Sequence, residues 1–173
     1  LFQIQVEALN ILNVVDSWID DEVIEQLRNQ PAWDLVLWPF QTLLELEVLA
    51  PSWAASVSRQ LPPEWIQQLK ILKPTFIVPS SCQFQFEKGS WLNNAFFPIT
   101  YKQFQQELEQ NLSGTKIIRM DPSRSFILQR NSLQESSPLE WVKTNTLPEV
   151  DYDYHAGLKP PATSEIAKKF SPL

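Results

Sequence analysis

Three short apolar runs do most to constrain this chain. They are Ile11-Leu12-Asn13-Val14-Val15-Asp16, Leu35-Val36-Leu37-Trp38-Pro39 and Thr75-Phe76-Ile77-Val78. Each is too short for a buried helix, and each is bounded by turn or capping residues, so each reads as a buried strand. Strands apolar on both faces belong to parallel sheets, which need a helical crossover between neighbours. The intervening sequence supplies them. Asp20 or Asp21 can cap a helix with Val23, Ile24 and Leu27 on one face, and Pro31 stops it. Pro62-Pro63 opens a second at about 64–72, with Trp65, Ile66 and Leu69 inward, and Lys73-Pro74 closes it. Tyr101 to Leu112 is amphipathic, with Phe104 and Leu108 four apart, and Ser113-Gly114 ends it.

A fourth strand is expected over Thr115–Met120, followed by a turn at Asp121-Pro122, with Ser125–Leu128 pairing beside it. The fold class is therefore α/β, a mixed sheet flanked by helices. Residues 43–61 read as a helical or irregular excursion, and residues 80–98 as a long aromatic-rich loop. Beyond about residue 130 the chain turns polar, and Pro138, Pro148, Pro160, Pro161 and Pro172 punctuate it. The expected organisation is a domain over 1–130 and an extended tail over 131–173.

Composition excludes several function classes. The 173 residues include 43% hydrophobic ones, enough for a core, and carry a formal net charge of -6. That charge argues against nucleic acid and anionic membrane as partners. No apolar run approaches the roughly 20 residues of a membrane span. The N-terminal residues lack the basic region and cleavage site of a signal peptide. A start at Leu1 rather than Met is read as a processed product or a piece of a longer protein. One cysteine, Cys82, cannot form an internal disulfide, and a cytoplasmic location is expected. With three glycines, neither a dinucleotide fingerprint nor a phosphate-binding loop can be written.

Candidate chemistry is sparse. Asp16 closes a strand, where α/β sheets bind ligands, so it reads either as a metal-ligating carboxylate or as a turn or capping aspartate. His155 is the only histidine and reads as structural, since zinc sites use three or four ligands. Cys82 reads as a small core residue. Ser80 and Ser81 lack a nucleophile-elbow context. Asp20-Asp21-Glu22 is explained by a helix start. Trp91, Phe96, Phe97 and Tyr101 read as core.

Two stretches taken together carry a resemblance. Asn13-Val14-Val15-Asp16-Ser17, a helix, and Asp34-Leu35-Val36-Leu37-Trp38-Pro39-Phe40 resemble the second half of metallo-β-lactamase-fold hydrolases. The matching branch is related to ascorbate-6-phosphate lactonase-like and sialic-acid hydroxylase-like proteins. Lys73 to Ser81 resembles a later strand of that fold. Cys82-Gln83-Phe84-Gln85-Phe86, Trp91-Leu92-Asn93-Asn94 and Phe97-Pro98 look more like the hydroxylase-like branch. The resemblance spans about residues 10–130 and implies half of an αββα sandwich. It makes Asp16 a metal ligand, with zinc, iron or manganese as the ion in the full-length protein. The family's His-x-His-x-Asp-His signature is absent, and Ser81 stands where lactonase-like members have a histidine. The implied function is part of a metal-dependent hydrolase whose histidines lie elsewhere. The implied partner is an N-terminal half or a second copy of the chain, with no metal expected on this chain alone. The alternative is a non-catalytic interaction or scaffold domain.

Overall fold

The structure is a computed structural model that describes residues 1–40, 60–81 and 99–142. Its main sheet has the order β1-β2-β3-β4-β5. The strands are β1 (Phe2–Val6), β2 (Leu9–Asn13), β3 (Leu35–Pro39), β4 (Phe76–Ser80) and β5 (Lys116–Ile117). β1 and β2 form an antiparallel hairpin, and every later pairing is parallel. The sheet is thus mixed, as the sequence implied. The helices α1 (Asp21–Arg28), α2 (Pro63–Leu72) and α3 (Tyr101–Asn111) connect successive parallel strands.

Local chemistry explains the helix ends. Asp20 caps α1, its carboxylate accepting from Val23 N at 2.8 Å. Pro63 starts α2, where a missing N–H costs nothing, and Lys73 ends it in the left-handed region at φ 49°. Thr100 caps α3 through Gln103 N at 3.1 Å.

Sheet order equals chain order from β2 to β5. Right-handed crossovers then place every connecting helix on the same face. The packing agrees. Leu12, Val14, Val36, Trp38, Ile77 and Ile117 point to the face where Ile24, Leu27, Trp65, Leu69, Leu72, Phe104 and Leu108 bury. The opposite face carries Ile11, Leu35, Leu37, Phe76 and Val78, with Leu128 and Leu133 packed against it. Those last two belong to a separate hairpin, β6 (Phe126–Gln129) with β7 (Ser132–Glu135).

Four sequence expectations change. The first hairpin strand, β1, was not anticipated. The run 11–16 does not stay a strand to Asp16. Pairing as β2 ends at Asn13, and Val14 adds one bond to Leu37 O before the chain turns. The strand expected over Thr115–Met120 is assigned only at Lys116–Ile117. Ser125–Leu128 does not join the main sheet; Asn131, at φ 64°, folds it back onto β7 instead. That hairpin straddles residue 130. Most of residues 43–61, 80–98 and 131–173 lies outside the described residues.

At the amino ends of the strands sit two buried polar residues, Asn10 and Asp34. Asn10 N donates to Asp34 Oδ2 at 2.8 Å, and Asp34 N donates to Asn10 O at 2.9 Å. The Asn10 amide also donates to Pro31 O at 2.9 Å. These bonds lock β2 against the start of β3, and the buried groups are satisfied. Asp34 in the Asp34-to-Phe40 stretch is thus accounted for by structure.

Leu69 is fully buried between α2 and the sheet, whereas Ile127 is more than half exposed on the hairpin. Leu69→Ala is expected to cost about 2–5 kcal/mol of stability. Ile127→Ala is expected to stay within about 0.5 kcal/mol. Urea unfolding of both variants checks the core assignment.

Candidate active site at the strand carboxyl ends

In parallel sheets the chain leaves each strand at its carboxyl end and enters a loop, so loops from several strands collect there. A cavity of about 360 Å³ lies at that end. β2 contributes Val14, Asp16, Ser17, Trp18 and Ile19 through the turn that follows it. β3 contributes Trp38 and Pro39, α2 contributes Glu64, Trp65 and Gln68, and Ser81 follows β4.

The turn after β2 sets the position of Asp16. Asn13 Oδ1 accepts from Val15 N at 2.9 Å, and Ser17 N donates to Val14 O at 3.0 Å. These two bonds close the turn without the Asp16 side chain. Asp16 itself takes φ 55°, a left-handed conformation that aspartate tolerates better than most residues. Its exposed carboxylate has no hydrogen-bond or ion-pair partner among the described residues. A turn or capping aspartate would accept from the backbone N–H groups that follow it, and Asp16 makes no such bond among the described residues. Glu64, on the first turn of α2, is likewise exposed and without a partner there.

Aromatic groups form the cavity wall. Trp38 and Trp65 meet edge to face with ring centroids 6.1 Å apart. Trp38 is 1% exposed, and its indole Nε1–H has no acceptor among the described residues. A buried donor left unpaired carries a desolvation cost. Gln68 is occupied, its amide donating to Ile19 O at 2.9 Å, which ties α2 to the loop after β2. Among the described residues the lining holds two carboxylates, Asp16 and Glu64, and no Lys, Arg or His. Its electrostatics suit a cation, or a ligand group that donates hydrogen bonds.

A second cluster lies at the carboxyl ends of β3 and β5. Phe40 packs edge to face on Phe104 at 5.6 Å and tilted against Tyr101 at 6.5 Å. The Arg119 guanidinium sits 5.3 Å from the Tyr101 ring centroid. Burial pushes the Tyr101 phenol above its ordinary value of 10.0, against the lowering effect of Arg119. Tyr101 packs against the core, in line with its sequence reading.

Of the residues singled out in the sequence, the structure brings Asp16, Ser17 and Ser81 to one cavity and places Ser80 at the end of β4. Asp20 caps α1, while Asp21 and Glu22 occupy its first turn. Cys82, His155, Trp91, Phe96 and Phe97 lie outside the described residues. Glu64 and the Trp38 indole were not singled out. Among the described residues, no three His, Cys, Asp or Glu side chains converge on a point that could hold a metal ion. No described helix is long and apolar enough to cross a membrane. Comparison with known proteins returns no match to a family model, a curated protein or a solved structure.

The raised Tyr101 value has a signed consequence. The folded state favours the neutral phenol, so this contribution to stability is full below pH 10.0 and is lost as pH rises toward the folded value. Stability is therefore expected to fall above about pH 10 more steeply in the parent chain than in Tyr101→Phe. Urea titrations at several alkaline pH values, run on both proteins, measure the difference.

Proposed function

We propose that this chain is the carboxyl-terminal half of a metal-dependent hydrolase of the metallo-β-lactamase-like fold, with its reaction centre at the Asp16 cavity. One observation carries the reading: an exposed carboxylate without a partner among the described residues, held in a left-handed turn at the carboxyl end of a parallel strand, on an aromatic-walled cavity. The one-sided helical layer also supports it, because half of an αββα sandwich presents its other sheet face to a second sheet. The resemblance of 10–130 to that family's second half adds the same placement for Asp16.

The described residues do not by themselves make a metal site. On this reading Asp16 supplies one ligand, and histidines from outside the described residues supply the rest. Zinc, iron or manganese held there would polarise a water for attack. What the chain's own residues do is more limited. Asp16 marks one side of the centre, and the packed Trp38 and Trp65 rings wall it on another.

A second reading, a non-catalytic interaction domain, draws on the exposed apolar residues of β1. Asp16→Asn in the complete protein separates the two. The hydrolase reading expects loss of most bound metal and activity, with the apo-protein melting temperature nearly unchanged, because Asp16 makes no bond that holds the turn. Metal content and apo-protein melting are measured side by side. Unchanged metal occupancy in the variant rejects the assignment.

A further inference from the structure

Among the described residues β1 is the outer strand of the main sheet, and all five of its residues are exposed. Its sequence, Phe2-Gln3-Ile4-Gln5-Val6, contains no charge and no proline. Both are devices that commonly protect a sheet edge from further pairing. In a chain of net charge -6, this is a neutral edge.

The hairpin register fixes which backbone groups are free. Val6 pairs with Leu9 across a two-residue turn, so that pair must exchange both backbone hydrogen bonds. Alternation then makes Ile4–Ile11 and Phe2–Asn13 the other hydrogen-bonded pairs. Gln3 and Gln5 therefore turn their N–H and C=O groups outward, away from β2. The side chains of Phe2, Ile4 and Val6 share the face of Ile11, opposite the helices, and are 69%, 43% and 54% exposed.

We propose that β1 pairs antiparallel with β1 of a second copy of this chain, about a two-fold axis that passes through Ile4. In that register Gln3 of each copy opposes Gln5 of the other, and these pairs make the backbone hydrogen bonds. Ile4 meets Ile4 in the close, non-hydrogen-bonded position, and Phe2 meets Val6. Each position requires the bonding state that the hairpin leaves open. Apolar residues oppose apolar ones on one face and amides oppose amides on the other. No charge from either strand is brought near its copy. A two-fold contact of this kind needs no surface but itself. The second copy is favoured over a foreign strand because one register satisfies backbone, apolar pattern and charge together. The paired sheets run on as one, and Phe2, Ile4 and Val6 of both copies form a continuous apolar ribbon beside Ile11.

Sedimentation of the 173-residue chain over a concentration series tests this, with circular-dichroism melting as the check on folding. The parent chain is expected to dimerise reversibly. Ile4→Lys and Ile4→Glu each place like charges directly opposite on the axis, and each should weaken the dimer at least about tenfold. Mixing the two variants should restore it, which happens only if position 4 meets position 4. Gln5→Pro removes an outward N–H without touching the hairpin's bonds, and should abolish dimers while leaving the melting curve cooperative. A parent chain that stays monomeric through the high micromolar range overturns the proposal. So does a dimer insensitive to Ile4→Lys, or one that the mixture does not restore.

Discussion

The parallel pairing of β3 with β4 is the contact on which the rest of the molecule depends. Their register runs from Leu35–Phe76 to Pro39–Ser80, and both strands are buried on both faces along most of their length. Because β2 to β5 follow one another in sheet order, all three crossovers stack on one side. That arrangement makes one face a helical core built on Trp38, Leu69, Phe104 and Leu108. The other face is left to the β6–β7 hairpin near β4 and to nothing described near β1. The same arrangement collects the turn after β2, the end of β3 and the start of α2 around one cavity.

Much of this was legible in the sequence, where local chemistry and tertiary packing agree. The bounds of β3 are legible because its apolar run is closed by Asp34 before it and ends on Pro39. The Asp20 cap and the Pro63 start of α2 are local signals that nothing in the packing opposes. Misreadings arose where the backbone departs from the side-chain pattern. Val14 and Val15 are apolar enough to extend a strand, yet the Asn13 side chain captures Val15 N and turns the chain. Asp121-Pro122 and Asn131 are both turn signals, and the sequence does not say which partner Ser125–Leu128 finds beyond them. β1 has the alternating apolar pattern of a half-buried strand, but five residues at the start of the sequence give no sign of the partner strand that makes them one.

The site was legible in one residue and not in its surroundings. Asp16 draws attention because it follows an apolar run, and the structure does place it on a cavity. Trp38 has the same sequence signature as any core tryptophan, and only the structure shows its indole N–H without an acceptor among the described residues. Glu64 reads as an acidic residue favouring a helix start, which it also is. The convergence of Asp16 and Glu64 depends on α2 packing beside α1, with Gln68 bonded to Ile19 O. Such a long-range contact has no local trace.

Trp38 and Trp33 provide the most direct test of the claim that a cation-dependent centre lies at the Asp16 cavity. Both are buried; Trp38 lines the cavity, and Trp33 precedes β3 at the opposite end of the sheet. Manganese broadens nearby nuclear magnetic resonance signals even when it binds weakly, so the two indole N–H resonances can be followed as the ion is added. The expected result is early broadening of Trp38, together with Trp18 on the same cavity, while Trp33 stays sharp, and loss of the Trp38 effect in Asp16→Asn. Equal broadening of Trp33 and Trp38, or a Trp38 response that survives Asp16→Asn, would contradict it.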